Sequence, residues 1–125
     1  MSWNPDYSVG DATLDDQHRD ILARCDALGE CLGDAAADDA RFRADFDALM
    51  ARAREHFAAE KALLAARGYP ELDAQQDEYD EFEYLAAEIV TTENFDKVEL
   101  QRFLALWWVG HIVGSGRKQR AFLQK

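Results

Sequence analysis

No apolar run in this chain approaches the roughly 18 residues of a membrane-spanning helix, and its first residues lack the basic start and apolar stretch of a signal peptide. A membrane partner is therefore not expected, and a cytoplasmic location is. Basic charge is scarce as well: 14 lysines and arginines face 25 acids, for a formal net charge of -11. Apart from Arg117, Lys118 and Arg120 the cations are scattered among acids, so no basic face exists to neutralise nucleic-acid phosphate or anionic lipid. The two cysteines, Cys25 and Cys31, stand about 240° apart around a helix axis and cannot bridge while that helix is intact. They read as buried or half-buried free thiols of a reducing compartment. A Gly-rich phosphate loop, a serine-nucleophile motif and a nucleotide fingerprint are all missing. A haem bundle is disfavoured too, because there is no Cys-x-x-Cys-His and the two methionines are Met1 and Met50. Strict alternation of apolar and polar residues occurs nowhere, so no strand is expected.

What is present is a 125-residue sequence, 48% hydrophobic and without a break in composition, which suits one domain over residues 1–125 with a buried core. An irregular arm, residues 1–12, carries Trp3 and Tyr7, two aromatics placed to pack across one end. Four amphipathic segments follow. The first, residues 13–33, opens at Thr13 as a cap with Asp16 three residues on, and turns His18, Ile21, Leu22, Cys25, Leu28 and Leu32 inward. The second, 38–67, repeats the pattern through Phe42, Phe46, Leu49, Ala53, His56, Glu60 and Leu64 before Gly68 and Pro70 stop it. The third, 72–90, points Gln75, Tyr79, Phe82, Leu85 and Ile89 inward. In the fourth, 97–122, the stripe is Leu100, Phe103, Leu104, Trp107, His111 and Ile112. Trp107 and Trp108 cannot both face the core, so one belongs at an end or an interface. Four helices with short connections predict an all-α, up-down-up-down four-helix bundle.

The chemistry lies in His56 and Glu60. Four residues apart, they differ by about 40° around a helix and can reach one point in the core. A lone histidine on an apolar face is ordinarily a packed core residue, and that reading fits His18 or His111 taken singly. An inward glutamate in mid-helix is another matter, because a buried anion costs several kcal/mol, of the order expected for an ion without a partner. No lysine or arginine shares the inner stripe to neutralise Glu60. A divalent cation would, and two imidazoles with one carboxylate are a ligand set used for non-haem iron(II).

These residues, with Trp3, Tyr7-Ser8-Val9-Gly10, Asp16-Gln17-His18, His56-Phe57, Gly68-Tyr69-Pro70 and Trp107 with His111-Ile112, resemble the bacterial hemerythrins over nearly the whole chain. The resemblance implies a four-helix bundle whose core holds two irons, ligated by five histidines with a bridging glutamate and a bridging aspartate, and which binds dioxygen reversibly. His18, His56, Glu60 and His111 match family ligands. Gln75 and Tyr79 stand where the family has two histidines, and Gly116 stands where it has the bridging aspartate.

The losses fall on one of the two ions. The resemblance then implies one iron, held by His18, His56 and Glu60 with His111 reaching in as a fourth ligand. Zinc is an alternative and a second ion is not expected. Gly116 should leave a small cavity at the lost bridge. Tyr79 could donate a hydrogen bond to a bound ligand, bind as phenolate or be oxidised, and Gln75 could orient a water; equally, both could fill space and satisfy each other or Glu60. Glu81 and Glu78 lie off the inner stripe, with Glu78 close enough to accept a hydrogen bond from a ligand. Three functions remain open: binding or sensing of dioxygen or nitric oxide, which the surviving ligands favour; oxygen or peroxide activation by an enzyme, if a cavity opens at Gly116; and a metal-free regulatory bundle.

Overall fold

The computed structural model describes residues 3–124, so the first two residues of the arm and the last residue of the chain lie outside it. Five α-helices follow a short 3-10 turn at Pro5–Tyr7: α1 (Ala12–Gly33), α2 (Asp39–Ala66), α3 (Leu72–Thr91), α4 (Lys97–Val113) and α5 (Ser115–Leu123). No strand occurs among the described residues. Helix α1 packs on α2 and α4, and α3 packs on the same two, so the four long helices close an all-α bundle.

Side-chain caps open α1, α2 and α4. Asp11 caps α1, its carboxylate accepting the Leu14 N–H at 3.0 Å. Thr13, expected in that role, lies exposed inside the first turn, because an ionised side chain two residues earlier already serves the free amides. Asp38 caps α2 through the Arg41 N–H at 2.9 Å. At its other end Gly68 takes φ +73, a conformation glycine adopts without a Cβ penalty. This lets the Gly68 N–H reach Ala65 O at 3.1 Å and the Tyr69 N–H reach Leu64 O at 2.9 Å, closing the helix with a two-bond C-terminal cap. Asp96 caps α4 through the Val98 and Glu99 amides.

The fourth segment is not one helix. It breaks at Gly114, where an added Cβ would stand 2.8 Å from Gly110 O, and resumes as α5. Gly114 and Gly116 are poor helix formers and weaken the segment at this turn.

The core runs the length of the bundle, from Leu14 and Ile21 on α1 through Leu49 on α2 and Phe82 on α3 to Leu104 and Trp108 on α4. Trp108 is the fully buried tryptophan, whereas Trp107 is only partly buried, reversing the inward stripe expected for α4. On α3, Ala86 takes the buried place expected of Leu85, which is half-exposed. Cys25 and Cys31 are both buried free thiols, and burial pushes the Cys25 thiol up to about 12. The arm folds back onto the bundle. Asp15 accepts the Ser8 hydroxyl at 2.6 Å and the Val9 N–H at 2.8 Å, which seats Val9 in the interior with no exposed surface.

Candidate metal centre

Midway along α2, His56 and Glu60 project from successive turns into the core, and neither side chain has any solvent exposure. His18 comes across from α1 and His111 from α4, both buried. Four atoms, one from each of His18, His56, Glu60 and His111, lie within 4.8 Å of one another. His56 Nε2 is 2.7 Å and His111 Nε2 is 3.2 Å from the same oxygen, Glu60 Oε2, while His18 Nε2 is 3.0 Å from His56 Nε2.

The far side of each ring explains why these contacts need a cation. His56 Nδ1 lies 2.9 Å from Gln17 Oε1, and His111 Nδ1 lies 2.6 Å from a Glu78 carboxylate oxygen. Both partners accept, so each ring carries its hydrogen on Nδ1 and turns the Nε2 lone pair inward. Lone pairs on His56 and His111 then face lone pairs on Glu60 Oε2. Either a proton or a metal ion must sit between them. Three imidazole nitrogens and a carboxylate oxygen suit zinc or iron in kind and number.

In the absence of metal, the protons distribute as the surroundings dictate. Burial, reinforced by His56 and His111, pushes His18 down to about 2, and burial also lowers His56. Burial opposes the charge on His111, but Glu60 and Glu78 outweigh it and carry that imidazole up to about 9. Burial likewise opposes the charge on Glu60, yet His111 and His56 hold its carboxyl well below the usual range. The metal-free centre therefore contains one imidazolium between two carboxylates, beside two neutral rings.

The other oxygen of Glu60 has different company. Oε1 accepts the Tyr79 hydroxyl at 2.5 Å and the Gln119 amide at 2.9 Å. Burial and the Glu60 charge raise the Tyr79 phenol above its ordinary value, which keeps it a neutral donor. Gln75, one turn earlier on α3, is buried with its Oε1 unpartnered. It lines a cavity of about 50 Å³ with Tyr69, Glu78, Ser115 and Lys118. The room expected at Gly116 does not exist: a Cβ there would meet Val9 Cγ1 at 3.2 Å, because the arm fills the space.

Aromatic rings wall the centre. Trp107 stacks on His111 with centroids 5.1 Å apart, Trp108 meets His56 edge-on at 5.6 Å, and Phe57 stacks on Tyr79 at 4.2 Å. Glu78, placed off the inner stripe by its spacing, is half-buried and holds both His111 and the Ser115 hydroxyl, the latter at 2.6 Å; Glu81 is exposed. Sequence spacing missed Gln119 and gave Gln17 no role. A neutral amide beside an inward histidine was the available signal for Gln17, and the break at Gly114 hid the one for Gln119.

Comparison with known proteins agrees with this picture. The profile described as Hemerythrin HHE cation binding domain matches residues 9–114. A hemerythrin-like protein of Naegleria gruberi is 28% identical over 123 residues, covering 98% of this chain and 93% of the relative. A hemerythrin-like protein of Naegleria fowleri matches with the same identity and coverage. No solved structure matches the chain.

Proposed function

The chain belongs to the hemerythrin HHE cation-binding family, and from that premise we propose that it holds a single non-haem iron through His18, His56, Glu60 and His111 and binds a small ligand such as dioxygen or nitric oxide there. The observation that carries the reading is the pair of imidazoles whose Nδ1 hydrogens are taken by Gln17 and Glu78, leaving both Nε2 lone pairs on Glu60 Oε2. Bound iron would supply open coordination positions for a diatomic molecule. The protein's own contribution is to hold the rings in one tautomer and to surround them with Trp107, Trp108 and Phe57, which keep bulk water away. A binding role is favoured over an enzymatic one because Val9 occupies the place where a substrate cavity was expected. Two buried free thiols and the absence, among the described residues, of a helix long and apolar enough to cross a membrane support a cytoplasmic setting.

One observation favours a metal-free alternative. A proton on His111, held by Glu60 on one side and Glu78 on the other, can do the electrostatic work of a cation. Titration of the ferrous-loaded protein with nitric oxide separates the two. One ligand per chain, seen as a saturable change in visible absorption, is expected; protein that neither retains iron nor changes its spectrum contradicts the proposal.

A further inference from the structure

The two oxygens of Glu60 are not equivalent. Oε2 faces ring nitrogens whose hydrogens are engaged elsewhere, so it lacks a neutral donor. Oε1 accepts from Tyr79 Oη and from Gln119 Nε2, which fills the two acceptor positions a carboxylate oxygen offers. The Gln119 amide is oriented by this contact alone. Its own oxygen is buried and unpartnered, and turning the amide over would set oxygen against oxygen.

We infer that Tyr79 and Gln119 are positioning residues that restrict Glu60 to a single cation: together they occupy Oε1 with hydrogens, so the carboxylate offers Oε2 alone and neither chelates one ion nor bridges two. The inference rests on the one-ion reading above and goes beyond it by naming the donors that impose the restriction. One of them, Gln119, lies past residues 9–114 of the family match. It arrives on α5, the helix that the Gly114 break creates and that packs on the arm through Gly116 and Val9. The arm, the break and the amide thus form one device.

Cobalt(II) tests the inference, because its visible spectrum reports coordination number as well as occupancy. Tyr79→Phe removes one oxygen and keeps the ring stacked on Phe57, so this variant retains the packing of the wild type. Gln119→Leu removes the amide at similar volume. Each single variant should bind zinc or cobalt about 10- to 100-fold more weakly, the usual effect of removing a partner that orients a ligand. The double variant, with Oε1 released, should show a changed cobalt spectrum and take up more than one ion at excess metal. Wild-type protein that binds no cobalt overturns the reading of the site itself. Wild-type protein that binds one ion, with variants equal to it in affinity, spectrum and stoichiometry, overturns this inference alone.

Discussion

The α1–α2 side of the centre and the α3–α5 side meet at one carboxylate and treat it in opposite ways. On the first, His18 and His56 present ring nitrogens to the interior, with Gln17 behind His56 to hold its hydrogen. On the second, Tyr79 and Gln119 present hydrogens of their own, and only His111 brings a lone pair. Both sides are equally buried. The difference lies in whether a polar group arrives with its proton or without it, and that decides whether the buried anion is satisfied by the protein or by an ion.

The largest effect should come from removing the shared group. Glu60→Ala should abolish metal retention, whereas Gln75→Ala should leave the metal-to-protein ratio unchanged, since the donors to Glu60 Oε1 are Tyr79 and Gln119 and the Gln75 oxygen is unpartnered. Elemental analysis of both proteins checks the contrast, and equal losses would erase the distinction between the two sides. Next, the hydrogen-donating side can be converted. Gln75→His, Tyr79→His and Gly116→Asp together should add a second ion, bound more tightly when Val9→Ala accompanies them, because Val9 Cγ1 stands 3.2 Å from the position the new Cβ would take and must shift by a few tenths of an ångström to admit it. Equal affinity for the second ion with and without Val9→Ala would mean that the arm yields more easily than its packing implies.

Smaller effects should follow from the residues behind the rings. Gln17→Ala and Glu78→Ala should each weaken metal binding by about 10- to 100-fold, measured by competition with a chelator of known affinity, by releasing the hydrogen that fixes an imidazole. The pH dependence of the metal-free protein gives the finest distinction. His18 and His56 have lowered values in the folded state, so their contribution to stability is present above the unfolded value near 6.5 and is lost as pH falls below it. Each can add a slope of about 1.4 kcal/mol per pH unit. His111 has the opposite sign: raised to about 9, it contributes fully below about pH 6.5 and loses that contribution as pH rises through about 9. Chemical denaturation between pH 4 and 10 should therefore show stability falling on both sides of neutrality in the metal-free protein. A monotonic profile would contradict the assignment of the proton to His111.

Much of this was legible in the sequence, for identifiable reasons. Helical periodicity carries the bundle, and the i, i+4 spacing of His56 and Glu60 brings two inward groups to one place whatever the rest of the core does. The three histidines were also legible, because each sits among apolar neighbours on its stripe. Gln119 was not, since its direction depends on how the backbone turns at Gly114, between α4 and α5, rather than on any spacing. Gly116 misled for a related reason. The space beside a glycine depends on what packs against it, and Val9 lies more than a hundred residues away in the chain. The exchange of Trp107 for Trp108 shows the same limit: in an apolar helix such as α4, periodicity does not say which of two adjacent rings is inside.

The metal content of protein loaded with excess ferrous iron, freed of unbound metal and then exposed to air, bears on all of this at once. One iron per chain, with no charge-transfer bands of an oxygen-bridged iron pair, is the expected outcome. Two irons with those bands, or no iron at all, would contradict it.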